Sequence, residues 1–260
     1  MAKLSLMYFS PTHSTKKIVS AVGKVFFEEL LCETTILDLT KLAARSRDYV
    51  FEEEDIVVFG APVYGGRLPQ LLVPLLQNCE GNGAKAIVVS VYGNRDYDDA
   101  LLESCDLFTD RGFVVCAAAA FIGQHSYTSK VGTNRPDAED LLAAQTFAIA
   151  AFNNVMSGSK VRKRLRGNRP YRELSATMRS NKQPPSVDNG RCVHCGNCIA
   201  VCPVCNIGKN LETFDRCIGC GACVRFCPAG ARSFSDPNII AAREKLEQNC
   251  TVRRWPEFFI

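Results

Sequence analysis

Apolar and polar positions alternate in blocks from residue 3 to about residue 155. Helical apolar spacing, such as Ile18, Val22 and Val25, separates short strand-like runs. The run that ends at Gly60 is continuously apolar, which is typical of a strand buried on both faces. Five strands with intervening helices predict a parallel sheet covered on both faces. The predicted strands are 3–9, 32–39, 55–60, 84–91 and 112–121, and the clearest helices are 16–31, 96–110 and 136–155.

This alternation stops near residue 157 and divides the chain. Between Lys160 and Lys182 lie nine Lys or Arg residues and a single acid, Glu173, which indicates a basic linker. Asp236-Pro237 predicts the N-cap and first residue of a helix that reaches about Asn249. We therefore expect four parts: the sheet domain 1–156, the linker 157–186, a cysteine-rich module 187–235, and a helix with an aromatic tail 236–260.

Composition and charge narrow the possible classes. The chain has 260 residues, 47% hydrophobic and 22% charged, which is typical of a folded globular protein. The longest apolar stretch, 113–123, has 11 residues, whereas a membrane-spanning helix needs about 20. The start resembles no secretory signal, so we expect a cytoplasmic protein. The formal charge is −6 up to Val155 and +10 beyond it, so the two parts are electrostatically complementary.

Nine of the fourteen cysteines lie between Cys192 and Cys227. They include two copies of the run C-x2-C-x2-C-x3-C-P, which ligates [4Fe–4S] clusters in bacterial ferredoxins and whose fourth cysteine serves the other cluster. Zinc is the less favoured alternative, because a structural zinc ion takes four ligands without requiring this doubled run. Cys205 falls outside the pattern, and we expect it not to be a ligand. The predicted crossed assignment gives one cluster Cys192, Cys195, Cys198 and Cys227, and the other Cys217, Cys220, Cys223 and Cys202.

Three loops at the carboxyl ends of strands are candidates for binding FMN. Hydroxyl groups and free N–H groups between the first strand and its helix suit a phosphate. In a 2-1-3-4-5 sheet, the loops after strands one and three flank the point where FMN lies. Each loop also has a purely structural alternative: an ordinary helix cap, a turn at Gly65-Gly66, or tyrosines that cover the sheet edge. A role of His13 or His125 as a proton donor is less favoured than FMN binding. The candidate residues are Ser10, Thr12, His13, Ser14, Thr15, Pro62, Val63, Tyr64, Gly65, Gly66, Tyr92, Gly93, Asn94, Arg95 and Tyr97.

These motifs resemble the fused flavodoxin/ferredoxin family of anaerobic microbes. The resemblance is carried by the paired cysteine runs, the segment YFSPTHSTKK at 8–17, and the residues of 92–97 and 121–127, and it covers essentially the whole chain. It implies an α/β flavodoxin-like, doubly wound, five-stranded parallel sheet in the order 2-1-3-4-5, followed by a small α+β ferredoxin-like domain with two [4Fe–4S] clusters. It also implies non-covalent FMN. The chain departs from the usual pattern at His13, where the phosphate loop of flavodoxins usually has glycine, and at Cys205.

We therefore expect an electron-transfer protein in which electrons pass between two clusters and FMN and on to a redox partner protein. The alternative is an FMN-dependent reductase that acts directly on a quinone, a flavin or an unsaturated organic acceptor. Nucleic-acid binding through the linker is disfavoured, because blocks of like charge are usually solvated or docked on an acidic face. Docking of linker and domains within one chain or across a homodimer is equally compatible with the sequence.

Overall fold

The computed structural model describes residues 2–174 and 182–260. Its main sheet has the strand order β2-β1-β3-β4-β5-β8, and β1 to β5 run parallel to one another. The first five strands have the doubly wound order 2-1-3-4-5 typical of flavodoxin. This confirms the predicted fold class. The strands of the sheet are β1 Leu4–Tyr8, β2 Thr34–Asp38, β3 Ile56–Pro62, β4 Lys85–Tyr92, β5 Val114–Ile122 and β8 Glu257–Phe259.

Helices cover both faces of this sheet. On one face, α1 and α5 bury a core that includes Phe26 and Phe147. On the other, α3 and α4 bury a second core that includes Phe59 and Phe108. Because both faces are covered, consecutive positions of β3 and β4 are buried, as their continuous apolar runs predict. The helices of the sheet domain are α1 Ser14–Leu30, α2 Leu42–Arg45, α3 Val73–Gln77, α4 Ala100–Asp110 and α5 Ala138–Ser157, with a 3₁₀ turn at Gln70–Leu72.

The predicted aromatic tail belongs to the sheet. The strand β8 pairs antiparallel with β5, with Ala118 opposite Phe259 and Ala120 opposite Glu257. The ring of Phe258 packs against Phe121 and Phe147, with ring centroids 5.7 and 5.2 Å apart. The five predicted parallel strands are confirmed, and β8 adds a sixth, antiparallel strand that covers the edge of β5 and buries Phe259.

The first part of the basic linker lies along the sheet domain. Arg166 forms ion pairs with Asp96 and Glu257, and Val161 and Leu165 pack on the second core. Arg169 and Arg172 pair with further acidic side chains near α4. Arginine side chains of the segment 160–172 thus form ion pairs with acidic side chains on the surface of the sheet domain. Residues 175–181, which carry Arg179 of the basic run, lie outside the described residues.

The cysteine-rich module is a small two-fold repeat. Its two strands, β6 Ser186–Val187 and β7 Arg232–Ser233, pair antiparallel. The short helices α6 Asn197–Ala200 and α7 Ala222–Arg225 each follow a left-handed glycine, Gly196 with φ 73° and Gly221 with φ 74°. After β7, α8 Pro237–Asn249 begins as predicted, with the Asp236 carboxylate accepting a hydrogen bond from the N–H of Asn238. Within the two described ranges, every helix is too short or too polar to cross a membrane.

Candidate functional site

The loop between β1 and α1 carries the predicted phosphate site. His13 precedes α1 with φ 68°, the left-handed conformation that explains why glycine is usual at this position. The Ser10 hydroxyl accepts a hydrogen bond from the N–H of Lys16 at 2.9 Å, so it acts as a cap in this structure. Among the described residues, no acceptor receives the backbone N–H groups of Ser14 and Thr15. Two donors at the positive end of a 17-residue helix therefore remain available for an anion.

The loop after β3 is held in place by a buried ion pair. Arg67 donates to the Glu103 carboxylate from Nε at 2.7 Å and from Nη2 at 2.6 Å. The N–H of Leu68 donates to the same carboxylate at 2.9 Å. Gly65 and Gly66 both have positive φ, 63° and 82°, as the predicted turn requires. Glu103 on α4 thus fixes the C-terminal end of the segment from Pro62 to Gly66, a role that the sequence analysis misses.

Side chains of the loop after β4 pack and form hydrogen bonds within the protein. Tyr97 is fully buried, its hydroxyl donates to Glu257 at 2.8 Å, and its ring packs at 5.6 Å from Tyr92, which is also buried. The Asn94 amide donates to the carbonyl groups of Cys250 and Val252 at 2.6 and 2.9 Å. Both rings belong to the core, and the place of Tyr92 and Tyr97 among the candidate FMN residues stays a prediction. Arg95 pairs with Asp98.

A fourth loop, after β5, joins the same edge of the sheet. His125 lies against Gly93, where an added Cβ would approach its ring to 2.4 Å. Burial, and to a lesser extent Arg95, lowers the pKa of His125 to about 4, and its Nδ1 accepts the N–H of Tyr127 at 3.1 Å. The ring of His125 is thus held in its neutral form. Tyr127, which appears among the residues of the resemblance but not among the candidate site residues, reaches the cysteine-rich module.

The first cysteine site consists of Cys192, Cys195, Cys198 and Cys227. These four residues line one cavity together with neighbours that all lie between Val187 and Arg232. The Cys227 sulfur accepts a hydrogen bond from the N–H of Ala231 at 3.2 Å. Although burial raises the pKa of the Cys227 thiol, backbone N–H groups of residues 229–232 outweigh it and the net shift is downward. These N–H groups favour the thiolate, which is the form of cysteine that binds a metal.

The second cysteine site consists of Cys217, Cys220, Cys223 and Cys202. Burial is the main cause that raises the pKa of Cys217, Cys220 and Cys223, the last two to about 12, and proximity to Cys202 contributes to each shift. Cys202 therefore lies beside the second run. Its sulfur accepts the N–H of Asn206 at 3.2 Å, which repeats the hydrogen bond at Cys227.

The donor sets of both cysteine sites fit iron–sulfur clusters. Each set offers four thiol groups and hydrogen bonds from backbone N–H groups to sulfur. In the described part of the chain, no three His, Cys, Asp or Glu side chains converge on a position for one metal ion. A cubane binds each of its four thiolates through a different iron atom, so it does not require the four sulfurs to meet at one metal ion.

Comparisons with known proteins agree with this division of the chain. Residues 185–204 and 213–233 match the family model of the 4Fe-4S binding domain. No curated protein matches the chain. Among solved structures, the chain is similar to oxidised flavodoxin 1 from Bacillus cereus, with 18% identity, a TM-score of 0.43, and coverage of 58% of this chain and 97% of that one.

Two further flavodoxins show comparable similarity. One is from the domain Archaea, with 15% identity, a TM-score of 0.39, and coverage of 60% of this chain and 99% of that one. The other is from Streptococcus pneumoniae TIGR4, with 19% identity, a TM-score of 0.40, and coverage of 60% and 97%. The fold assignment rests on the strand order of the sheet itself. The chain joins a flavodoxin-like α/β domain to a 4Fe-4S binding domain, which is the combination of the fused flavodoxin/ferredoxin proteins that its sequence resembles.

Proposed function

We propose that this protein is an electron-transfer iron–sulfur flavoprotein that passes electrons between two [4Fe–4S] clusters and non-covalently bound FMN, and on to a redox partner protein. One observation carries the proposal: the candidate FMN loops and the cysteine-rich module are in direct contact. The ring of His13, in the phosphate loop, lies 4.7 Å from the ring of Phe226, the residue before Cys227. Bound at these sites, the carriers would lie within one compact unit.

Different groups of the chain would bind the phosphate and the ring of FMN. The N–H groups of Ser14 and Thr15 would hold the FMN phosphate, because they are free donors at the start of α1. The segment from Pro62 to Gly66, fixed by Glu103, would line the ring of the cofactor. FMN supplies the ability to take up one or two electrons, and the clusters supply one-electron steps. The protein sets the potentials through burial, charge and hydrogen bonds to sulfur.

Cofactor analysis of protein purified without oxygen tests this proposal. We expect about eight irons, a matching amount of sulfide and about one FMN per chain, because each cubane holds four irons. Colourless protein, or zinc in place of iron, contradicts it. Saturable turnover of a quinone or flavin by the reduced protein would instead support the alternative reductase function.

A matched pair of variants tests the crossed ligand assignment. Cys202→Ala removes a proposed ligand of the second cysteine site, whereas Cys205→Ala removes an exposed thiol three residues away. We expect Cys202→Ala to lose about half of the iron. Because Cys220→Ala also removes a ligand of the second cysteine site, both variants should retain the same cluster and show the same EPR spectrum. Cys205→Ala should keep all of its iron. Loss of the cluster at the first cysteine site in Cys202→Ala would refute the assignment.

A further inference from the structure

The two cysteine sites differ in their relation to the flavodoxin-like domain. We propose that the cluster of the second cysteine site is the direct electron partner of the flavin, and that the cluster of the first cysteine site is the outer carrier, which exchanges electrons with the protein partner. This inference rests on the proposed function and adds an order to its carriers.

The loop that carries the second cysteine run packs directly on the flavin loops. Ile218, next to Cys217, packs against the core that includes Tyr92 and Tyr97. An added Cβ at Gly221 would lie 2.8 Å from the carbonyl oxygen of Ser126, and one at Gly219 would lie 3.3 Å from the Tyr127 hydroxyl. The backbone around the second site is therefore in van der Waals contact with the loop after β5.

Two tyrosines of the flavodoxin-like domain lie near the second site, and the hydroxyl of one, Tyr127, contacts the backbone at Gly219, between Cys217 and Cys220. Burial raises the pKa of Tyr64 well above its ordinary value, and Cys220, Tyr127 and Cys217 add to the shift. Burial also raises the pKa of Tyr127 to about 12, again with contributions from Cys217 and Cys220. Two tyrosines, one from the loop after β3 and one from the loop after β5, thus lie beside the same two thiols.

The first cysteine site is less covered by the flavodoxin-like domain, and the contact of His13 with Phe226, beside Cys227, lies at the phosphate end of the candidate FMN site. All residues that line its cavity come from the cysteine-rich module itself, between Val187 and Arg232. Cys195 is exposed, and the neighbouring Val193 is 66% exposed, whereas Cys220 and Cys223 are buried. A partner protein can therefore approach the first site closely, while the second site is covered by the flavodoxin-like domain.

This arrangement orders the electron transfers. A low-potential one-electron donor protein would reduce the outer cluster, which returns to its oxidised state when it passes that electron to the cluster of the second site. That cluster in turn is reoxidised as the flavin gains the electron. Two such passages deliver both electrons that the flavin can accept, and its protons come from water. Exchange with a one-electron acceptor protein follows the same order in reverse.

Nitrogen-15 NMR of bound FMN that carries the label in its ring tests the order without measuring turnover. The ring is the part that would lie against the segment from Pro62 to Gly66, whereas the phosphate would lie at the loop whose His13 contacts Phe226. A reduced [4Fe–4S] cluster is paramagnetic, and the broadening that it causes falls with the sixth power of distance. The matched variants are Cys195→Ala and Cys220→Ala, which alter the middle cysteine of each run. After reduction with excess dithionite, we expect the flavin ring lines of Cys195→Ala to stay nearly as broad as in the unaltered protein, and those of Cys220→Ala to become several-fold narrower.

Each outcome of this experiment is decisive. A narrow line in Cys195→Ala, or an unchanged broad line in Cys220→Ala, would overturn the order. If Cys220→Ala fails to fold, Cys195→Ala still decides the question, because Cys195 is exposed and the residues that line the cavity of its site all belong to the cysteine-rich module. Iron and FMN are measured on each sample. Absence of either from the unaltered protein refutes the proposed function, whereas their presence with the reverse line widths refutes the order alone.

Discussion

Replacement of Glu103 by Gln tests whether α4 anchors the loop after β3. Glu103 is 3% exposed and accepts three hydrogen bonds, two from Arg67 and one from the N–H of Leu68. Glutamine keeps the shape of the side chain but removes its charge, and it turns an NH2 group toward a guanidinium group or a backbone N–H. The variant therefore leaves the Arg67 charge without its carboxylate partner.

The magnitude follows from the burial of the pair. Removal of one partner from a buried ion pair costs about 3–5 kcal/mol of stability. The Arg67 side chain is 15% exposed and also donates to the Arg172 carbonyl, so the cost should lie at the lower end, about 3 kcal/mol. The control is Glu28→Gln, because Glu28 is 59% exposed and pairs with Lys24 at 3.6 Å. That surface pair should contribute less than about 0.5 kcal/mol.

The assay is urea denaturation of both holoproteins without oxygen, followed by far-UV circular dichroism, together with FMN dissociation at low urea. We expect Glu103→Gln to unfold at clearly lower urea than Glu28→Gln and to release FMN faster. Addition of Arg67→Gln to Glu103→Gln should recover part of the lost stability, because it removes the unpaired charge. Equal midpoints for Glu103→Gln and Glu28→Gln would refute the reasoning.

Three further predictions concern stability. Asp140→Asn breaks the buried ion pair with Arg135. We expect the free energy of unfolding, measured by urea denaturation, to fall by about 3–5 kcal/mol. A decrease smaller than that for a surface ion pair would contradict the proposed role of burial. His125→Gln should reduce the acid sensitivity of the protein. His125 takes up a proton near pH 6.5 in the unfolded state but only near pH 4 in the folded state. The native protein therefore loses stability as the pH falls through this window, by about 1 kcal/mol at pH 5.5. Parallel pH profiles of the two proteins would refute this assignment. Arg169→Gln breaks an exposed pair with Asp106 and should cost at most about 1 kcal/mol, a difference that added salt reduces.

The sequence predicts elements well where one local pattern is sufficient. β3 follows from a continuous apolar run, the other parallel strands follow from their alternation with helical segments, and α8 follows from the Asp236-Pro237 start. The strand β8 is missed because three residues carry too little periodicity to distinguish a strand from a tail. Its pairing depends on β5, more than a hundred positions earlier in the chain.

The candidate site shows the same limit. The phosphate loop and the two cysteine runs are local motifs, so their positions can be read from spacing. Tyr97 cannot be assigned in this way, because a core tyrosine and a cofactor tyrosine have the same identity and its partner, Glu257, lies 160 positions away. The pair of Arg67 and Glu103 is likewise set by the fold. His13 is the opposite case: the departure from glycine is evident in the sequence, and the structure keeps the left-handed backbone that glycine would favour.

The position of β8 has a consequence for biosynthesis. Because Glu257–Phe259 complete a sheet whose other strands lie before residue 123, the iron–sulfur module is in effect inserted into the domain that flanks it. A ribosome must therefore finish the module before the first domain can close its edge. Until then the apolar face of Phe121 and Phe147 lacks the cover of Phe258, so completion of the sheet waits for synthesis of the whole module.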